Sequence, residues 1–408
     1  MTIMKILHIQ YGMSPSGNAA FRLHVAMRNR GIDSSVLTLT STVERSHVIN
    51  FPETMLHKTV RVGVQRIHAV FSRVRLVPNH YHYHEMPLLG CEVYKHPLVK
   101  EADVIYLHWI ADGASAKDIR RILSLGKPVV VFLHDMWMIT GGCHHSFDCK
   151  QYASGCADCN MFVAGRSVAR QQLRNKAKLF AVYDNVCFVS PSRWLMDCAS
   201  RSLVTKGKRV LQIPNLVDET VFKPMDKDVA RRILNLPQDK FIITFGCQSG
   251  VNNVSKGWKY FCDAVSQLPY DREEIMLLIY GSDYDEEVQK SVKYPVQFLG
   301  PVWDEYKLVL INNASSVFVS PSLCESFGLS LLENILCNTP VISFNNTAIP
   351  EIVVAGQTGY LAHNKDVGDL RNGLEHMIDY RLEEVRSKCN YSSEQVLEQH
   401  LQLIRSIS

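Results

Sequence analysis

The chain lacks any uninterrupted apolar run approaching the ~18 residues that a membrane-spanning helix requires. Its first residues, MTIMKILHIQYGM, hold too short an apolar stretch for a secretory signal. Low-complexity tracts and short repeats are missing too, so a composition of 46% apolar and 21% charged residues reads as globular. Together these absences lead to the expectation of a cytoplasmic protein without a spanning helix. No basic–aromatic nucleic-acid motif is recognisable, and nucleic acid is not expected as a partner. Acidic residues are absent throughout residues 54–84.

A length of 408 residues exceeds one ordinary core and suggests two domains. The net charge of +4 conceals an asymmetry. Residues 1–213 carry 27 Lys/Arg against 14 Asp/Glu, a balance of +13, and the remainder carries 17 against 26, a balance of −9. A basic first half calls for an anionic partner, and a membrane surface is the better candidate. The acid-free segment sharpens this, because Lys58, Arg61, Arg66, Arg73 and Arg75 flank an apolar stripe of Val60, Val64, Ile67, Phe71 and Val74. Such a helix suits a lipid headgroup layer. It also suits a surface helix packed on its own domain, and the two readings are compatible.

Strand-like apolar runs alternate with helix-like segments from end to end, the pattern of doubly wound α/β domains. MKILHIQ, SSVLTLT, DVIYLHW, KPVVVFLHD and VCFVSPS form a first series. KFIITFG, IMLLIYG, VQFLG, SVFVSPS and PVISF form a second. A VSPS turn recurs at Val189–Ser192 and Val319–Ser322, which fits two similar halves. IPNLVDETVFKP, with two prolines, reads as the linker. The expected domains are residues 1–213, with a Cys-rich insert at 141–160, then 214–390, and a closing helix over 391–408.

Ligands of open α/β sheets bind at the carboxyl ends of the strands, so polar residues there are candidates. In SPSLCESFGLSLLENILCNTPVI, Glu325 is expected where a helix begins and Glu333 roughly 12 Å further along it. A helix start offers free N–H groups to an anion, and Gly328 allows a phosphate to approach. Two carboxylates flanking such a point suit a ligand with hydroxyls at both ends of a diphosphate, and a nucleotide-sugar has that shape. Lys256, after the strand KFIITFG, can neutralise a departing diphosphate. Gly17, in the first strand-to-helix turn, permits close approach of phosphate. His134 and Asp135 form a polar pair ending KPVVVFLHD, whereas His8 and His108 read as structural.

The stretch around the glutamates resembles the E-x7-E element of glycosyltransferase family 4, retaining enzymes of the GT-B fold. VSKGW around Lys256, IPNLVD and IPEIVVAGQTGYL fall in the order expected for that family. The resemblance implies two Rossmann-like domains facing a cleft. It implies transfer of a sugar from a nucleotide-sugar with retained configuration, His134 and Glu325 contacting the sugar and Glu333 the ribose. It further implies the diphosphate on Lys256 and the Phe327–Gly328 amides, with Gly17 in the glycine loop and Val302 beside the base. No metal is required for that chemistry. Relatives usually add an arginine just upstream of the lysine; here GCQSGVNNVS has none, leaving Lys256, backbone amides and Gln248 for the diphosphate.

Cys143, Cys149, Cys156 and Cys159 follow His134 with spacing C-x5-C-x6-C-x2-C. In a cytoplasmic protein such a cluster favours metal over disulfides, and four thiolates suit a structural zinc. Reduced structural cysteines are the other reading. The run HD-x-W-x-x-TG-x-C, then C, then GC-x-x-C resembles a family 4 subgroup of capsule, O-antigen and colanic-acid synthesis. That resemblance implies a polyprenyl-diphosphate-linked saccharide acceptor at the inner face of the cell membrane. Two further functions share these features: a GT-B nucleotide-sugar 2-epimerase, and a non-catalytic protein binding glycan or lipid diphosphate.

Overall fold

The computed structural model describes residues 4–13, 19–41, 45–52, 55, 58–60, 62–64, 66–67, 89–111, 113–159, 167–246, 253–282, 286 and 292–408. The chain divides into two compact units, one of Met1–Leu216 with Glu394–Ser408, the other of Val217–Ser393. The division falls inside the two-proline stretch IPNLVDETVFKP, which carries no helix or strand.

The first unit holds a parallel sheet of seven strands: β1 (Lys5–Met13), β2 (Asp33–Ser41), β3 (Val48–Asn50), β4 (Val104–Leu107), β5 (Val129–Phe132), β6 (Val186–Ser190) and β7 (Val210–Gln212). Their spatial order is β3-β2-β1-β4-β5-β6-β7. Strands β4, β5 and β6 are buried along their whole length, because helices cover both faces of a parallel sheet. The second unit repeats the plan with β8 (Phe241–Gly246), β9 (Ile275–Tyr280), β10 (Val296–Phe298), β11 (Val317–Ser320), β12 (Val341–Phe344) and β13 (Gly359–Ala362). Their order is β10-β9-β8-β11-β12-β13. Numbered within its own sheet, each unit therefore contains the order 3-2-1-4-5-6 of Rossmann sheets. The doubly wound expectation holds for both, and every apolar run read as a strand contains one.

Each sheet has one place where strand order reverses, between β1 and β4 in the first and between β8 and β11 in the second. Loops diverge there at the carboxyl ends and leave a crevice. The two VSPS turns are not equivalent by this measure. One follows β6, the sixth strand of its series, and the other follows β11, the fourth. Their likeness comes from a shared local turn rather than a shared place.

The helix Ser393–Ile407 buries Val396, Leu397, His400, Leu403 and Ile404, spaced three and four apart on one face. It groups with the first unit, where His400 Nδ1 lies 3.3 Å from the Tyr106 hydroxyl. No helix among the described residues is long and apolar enough to cross a membrane.

Candidate active site

In the second unit, Lys256 and Glu325 come from the loops following β8 and β11, the two strands at the reversal. Lys256 Nζ donates to Glu325 Oε1 at 2.6 Å, with 31% and 16% of the two side chains exposed. An ammonium carries three donors, and this contact occupies one. The loops are also joined through backbone, since Leu323 N donates to the Ser255 carbonyl at 2.8 Å. Asn253 Oδ1 accepts from Ser255 N and Ser255 Oγ, which tightens the short helical turn Val254–Lys256. Glu325 is steadied in turn, its N–H donating to Thr347 Oγ1 at 3.0 Å.

Gly257 ends that turn with φ +76°, and a Cβ there would stand 2.0 Å from the Pro321 carbonyl oxygen. Only glycine combines that left-handed backbone with so close an approach. The lysine is thereby pressed against the loop that carries Glu325.

Glu325 does not start the helix. The helix spans Leu329–Leu336, four residues later, because Gly328 at φ +97° breaks the helical path and serves as its N-cap. Glu333 is the fifth helical residue and is buried. Phe327 is also buried, packed with Val217, Phe222, Leu332 and Leu336. Its ring is core, so only its backbone is offered to a ligand. Val302 follows β10 and packs, partly buried, on the core of the same unit. The structure therefore brings Lys256 and Glu325 into contact and sets Phe327, Gly328 and Glu333 on the segment that follows. Gly17 and Gln248 lie outside the described residues.

In the first unit His134 follows β5 and is partly exposed. Its Nε2 lies 2.9 Å from His108 Nδ1. Burial pushes His134 down to about 4, against the opposing charge of Asp135. Asp135 accepts from Trp109 Nε1 at 2.8 Å and from Trp137 N at 2.7 Å, and its Oδ2 lies 2.6 Å from His144 Nδ1. Burial alone would raise this carboxyl, but the His144 charge and hydrogen bond and the Trp137 N–H outweigh it and hold it low. His144 is thus engaged by Asp135, which pins the start of the cysteine segment beside the end of β5.

Cys143, Cys149, Cys156 and Cys159 are free thiols, the last two buried. They lie close enough that the charges of the other three all bear on Cys143. Lys176 is buried against the same segment, its ammonium donating to the carbonyls of Trp137 and Thr140. Cys156 itself has φ +50°, following Gly155 at +114°. Among the described residues no three His, Cys, Asp or Glu side chains are grouped so as to hold a metal ion.

Residues 226–396 match the family described as Glycosyl transferases group 1, and Lys256, Val302, Glu325, Phe327, Gly328 and Glu333 all fall inside the match. Over that stretch the chain is similar to the group 1 glycosyl transferases. A D-inositol 3-phosphate glycosyltransferase of Mycolicibacterium smegmatis is 29% identical over 174 residues, covering 40% of this chain and 38% of that protein. The chain thus matches about two fifths of that relative's length. Among solved structures, WaaG, a glycosyltransferase involved in lipopolysaccharide biosynthesis, aligns with a TM-score of 0.67 at 15% identity over 98% of this chain and 99% of its own. HepE of Anabaena, solved in complex with UDP and glucose, aligns with a TM-score of 0.64 at 17% identity over 99% of this chain and all of its own. Likeness at that identity establishes the fold, the GT-B pairing of two Rossmann-like units.

Gly257→Ala should destabilise the second unit by about 2 kcal/mol or more, given strain at a left-handed residue and the clash with Pro321. Chemical denaturation followed by tryptophan fluorescence will measure it. An unchanged midpoint would show that the turn carrying Lys256 is not held as described.

Proposed function

We propose that the protein is a retaining glycosyltransferase that moves a sugar from a nucleotide-sugar to a lipid-linked saccharide in surface polysaccharide synthesis. The contact between Lys256 and Glu325 at the strand-order reversal carries this reading. It joins the cation suited to a leaving diphosphate to a carboxylate suited to sugar hydroxyls. The group 1 match over residues 226–396 and the UDP held by HepE support a nucleotide-sugar as donor. WaaG's role in lipopolysaccharide biosynthesis supports a surface-glycan acceptor.

In the proposed reaction the bond between the anomeric carbon and the diphosphate oxygen breaks, and its electron pair leaves with the diphosphate. The acceptor hydroxyl oxygen bonds to that carbon on the same face. Its proton passes to the departing diphosphate oxygen. Lys256 and the Phe327–Gly328 amides stabilise the negative charge that develops, while Glu325 and His134 orient the sugar and Glu333 the ribose. Val302 borders the base, and Gly17 serves the phosphate from the first unit. The chemistry needs no metal, because a lysine and backbone amides take that part.

Two structural roles accompany the reaction. The four cysteines are proposed to hold one structural zinc, for which four thiolates are a suitable donor set. The basic segment is proposed to rest on anionic lipid at the cytoplasmic face of the membrane. Of its described residues, Val60 is 48% and Ile67 63% exposed, beside exposed Lys58 and Arg66. Two apolar side chains left to solvent next to two cations suit a headgroup layer.

Given a nucleotide-sugar identified by thermal stabilisation, Lys256→Ala and Glu325→Ala should each lower transfer roughly a hundredfold or more. Retained transfer in both would remove the site assignment. Epimerisation of the sugar without any acceptor would favour the 2-epimerase reading instead. Protein purified without chelator should contain about one zinc per chain and lose it in Cys156→Ser with Cys159→Ser; absence of stoichiometric zinc rejects the metal. Co-sedimentation should be stronger with phosphatidylserine-containing vesicles than with phosphatidylcholine alone, and should fall with salt and in Lys58→Glu with Arg66→Glu. Equal binding to both vesicles would refute the lipid contact.

A further inference from the structure

Three histidines of the first unit form one hydrogen-bonded chain. His8 Nδ1 lies 2.9 Å from His108 Nε2, and His108 Nδ1 lies 2.9 Å from His134 Nε2. Strand alternation puts them together. His8 pairs with Tyr106 across β1 and β4, and Leu107 pairs with Val131 across β4 and β5. Residues two apart share a face, so His8, Tyr106, His108, Phe132 and His134 line one side of the sheet. Their rings lie close in sequence across the strands: His8 and His108 at 5.2 Å between centroids, His108 and His134 at 5.1 Å. Phe132 and His400 close over them.

All three rings are neutral near pH 7. Burial, then the neighbouring histidines, holds His8 and His108 well below the usual range, and burial holds His134 near 4. A neutral imidazole has one N–H and one lone pair. His108 is engaged at both nitrogens, so it donates at one and accepts at the other, and the chain has a direction. In one direction His8 Nδ1–H donates to His108, and His108 Nδ1–H donates to His134 Nε2. The proton of His134 then sits on Nδ1. In the other direction every proton is reversed, and that of His8 sits on Nε2.

His8 Nε2 decides between them, because it is buried and has no hydrogen-bond partner among the described residues. The reversed chain leaves an orphaned N–H there, whereas the first leaves only an unfilled lone pair. Buried N–H groups without a partner are the rarer and costlier fault.

We infer that His108, backed by His8, is a positioning residue that fixes His134 as the Nδ1–H tautomer, a hydrogen-bond donor toward a sugar oxygen rather than a base. This rests on the proposed transferase reading and deepens it. The only lone pair on His134 is taken up by His108, so His134 can steady an oxygen without accepting its proton. That matches a reaction in which the departing diphosphate takes the proton.

The test is tautomer assignment by two-bond 1H–15N correlation on the full-length protein labelled with 15N-histidine, using His134→Gln to identify the signals. The expected result is protonation of His134 at Nδ1. His108→Phe keeps an aromatic ring but no donor and should release that preference, lowering turnover roughly tenfold with little change in KM for the donor. His108→Asn places an amide N–H near the Nδ1 position and should restore both. Protonation of His134 at Nε2 in the wild type overturns the inference whether or not the variants fold. So does an unchanged His134 tautomer in a folded His108→Phe protein. The expected tautomer without transfer from any nucleotide-sugar would overturn the role toward sugar, and the transferase reading with it, separately from the chain itself.

Discussion

The contact between Lys256 and Glu325 is the point on which the second unit's site depends. Strand order in its sheet reverses between β8 and β11, and the loops from those two strands would otherwise part. A 2.6 Å ion pair closes them, with Leu323 on the Ser255 carbonyl and Gly257 against Pro321 beside it. Removing either charge leaves the other half-buried without compensation, which costs more than the pair contributes when intact. The pair also aims the lysine. A site with no arginine just upstream of Lys256 has particular need of a lysine held in one place.

The first unit reaches order by a different means. Its polar layer is neutral, built from histidine rings on neighbouring strands and closed by His400 from the last helix. Around it, Asp135 gathers Trp109, Trp137 and His144, and so ties the cysteine segment to the end of β5. One unit thus supplies a fixed charge pair and the other a directional chain of uncharged donors and acceptors.

Much of this was legible in the chain, for identifiable reasons. Buried parallel strands read as continuous apolar runs, and β4, β5, β6, β8 and β11 are of that kind. Strands β3, β7 and β13 are short and partly exposed, with no apolar run to announce them. The spacing places the helix start too early because Phe327 fits the helical period while packing in the core ahead of the helix, and because Gly328 imposes a break as well as offering phosphate access. With each strand taken alone, His8 and His108 read as structural. The signal was present in the spacing of His8, of Tyr106 with His108 and of Phe132 with His134. It emerges only once β1, β4 and β5 are known to be neighbours.

The most direct test of the central claim is a crystal structure with the nucleotide-sugar that stabilises the protein best. The account predicts its diphosphate within hydrogen-bond distance of Lys256 Nζ and of the Phe327–Gly328 amides, with the sugar reaching Glu325. A nucleotide bound away from the loops after β8 and β11, with Lys256 not contacting the diphosphate, would contradict it.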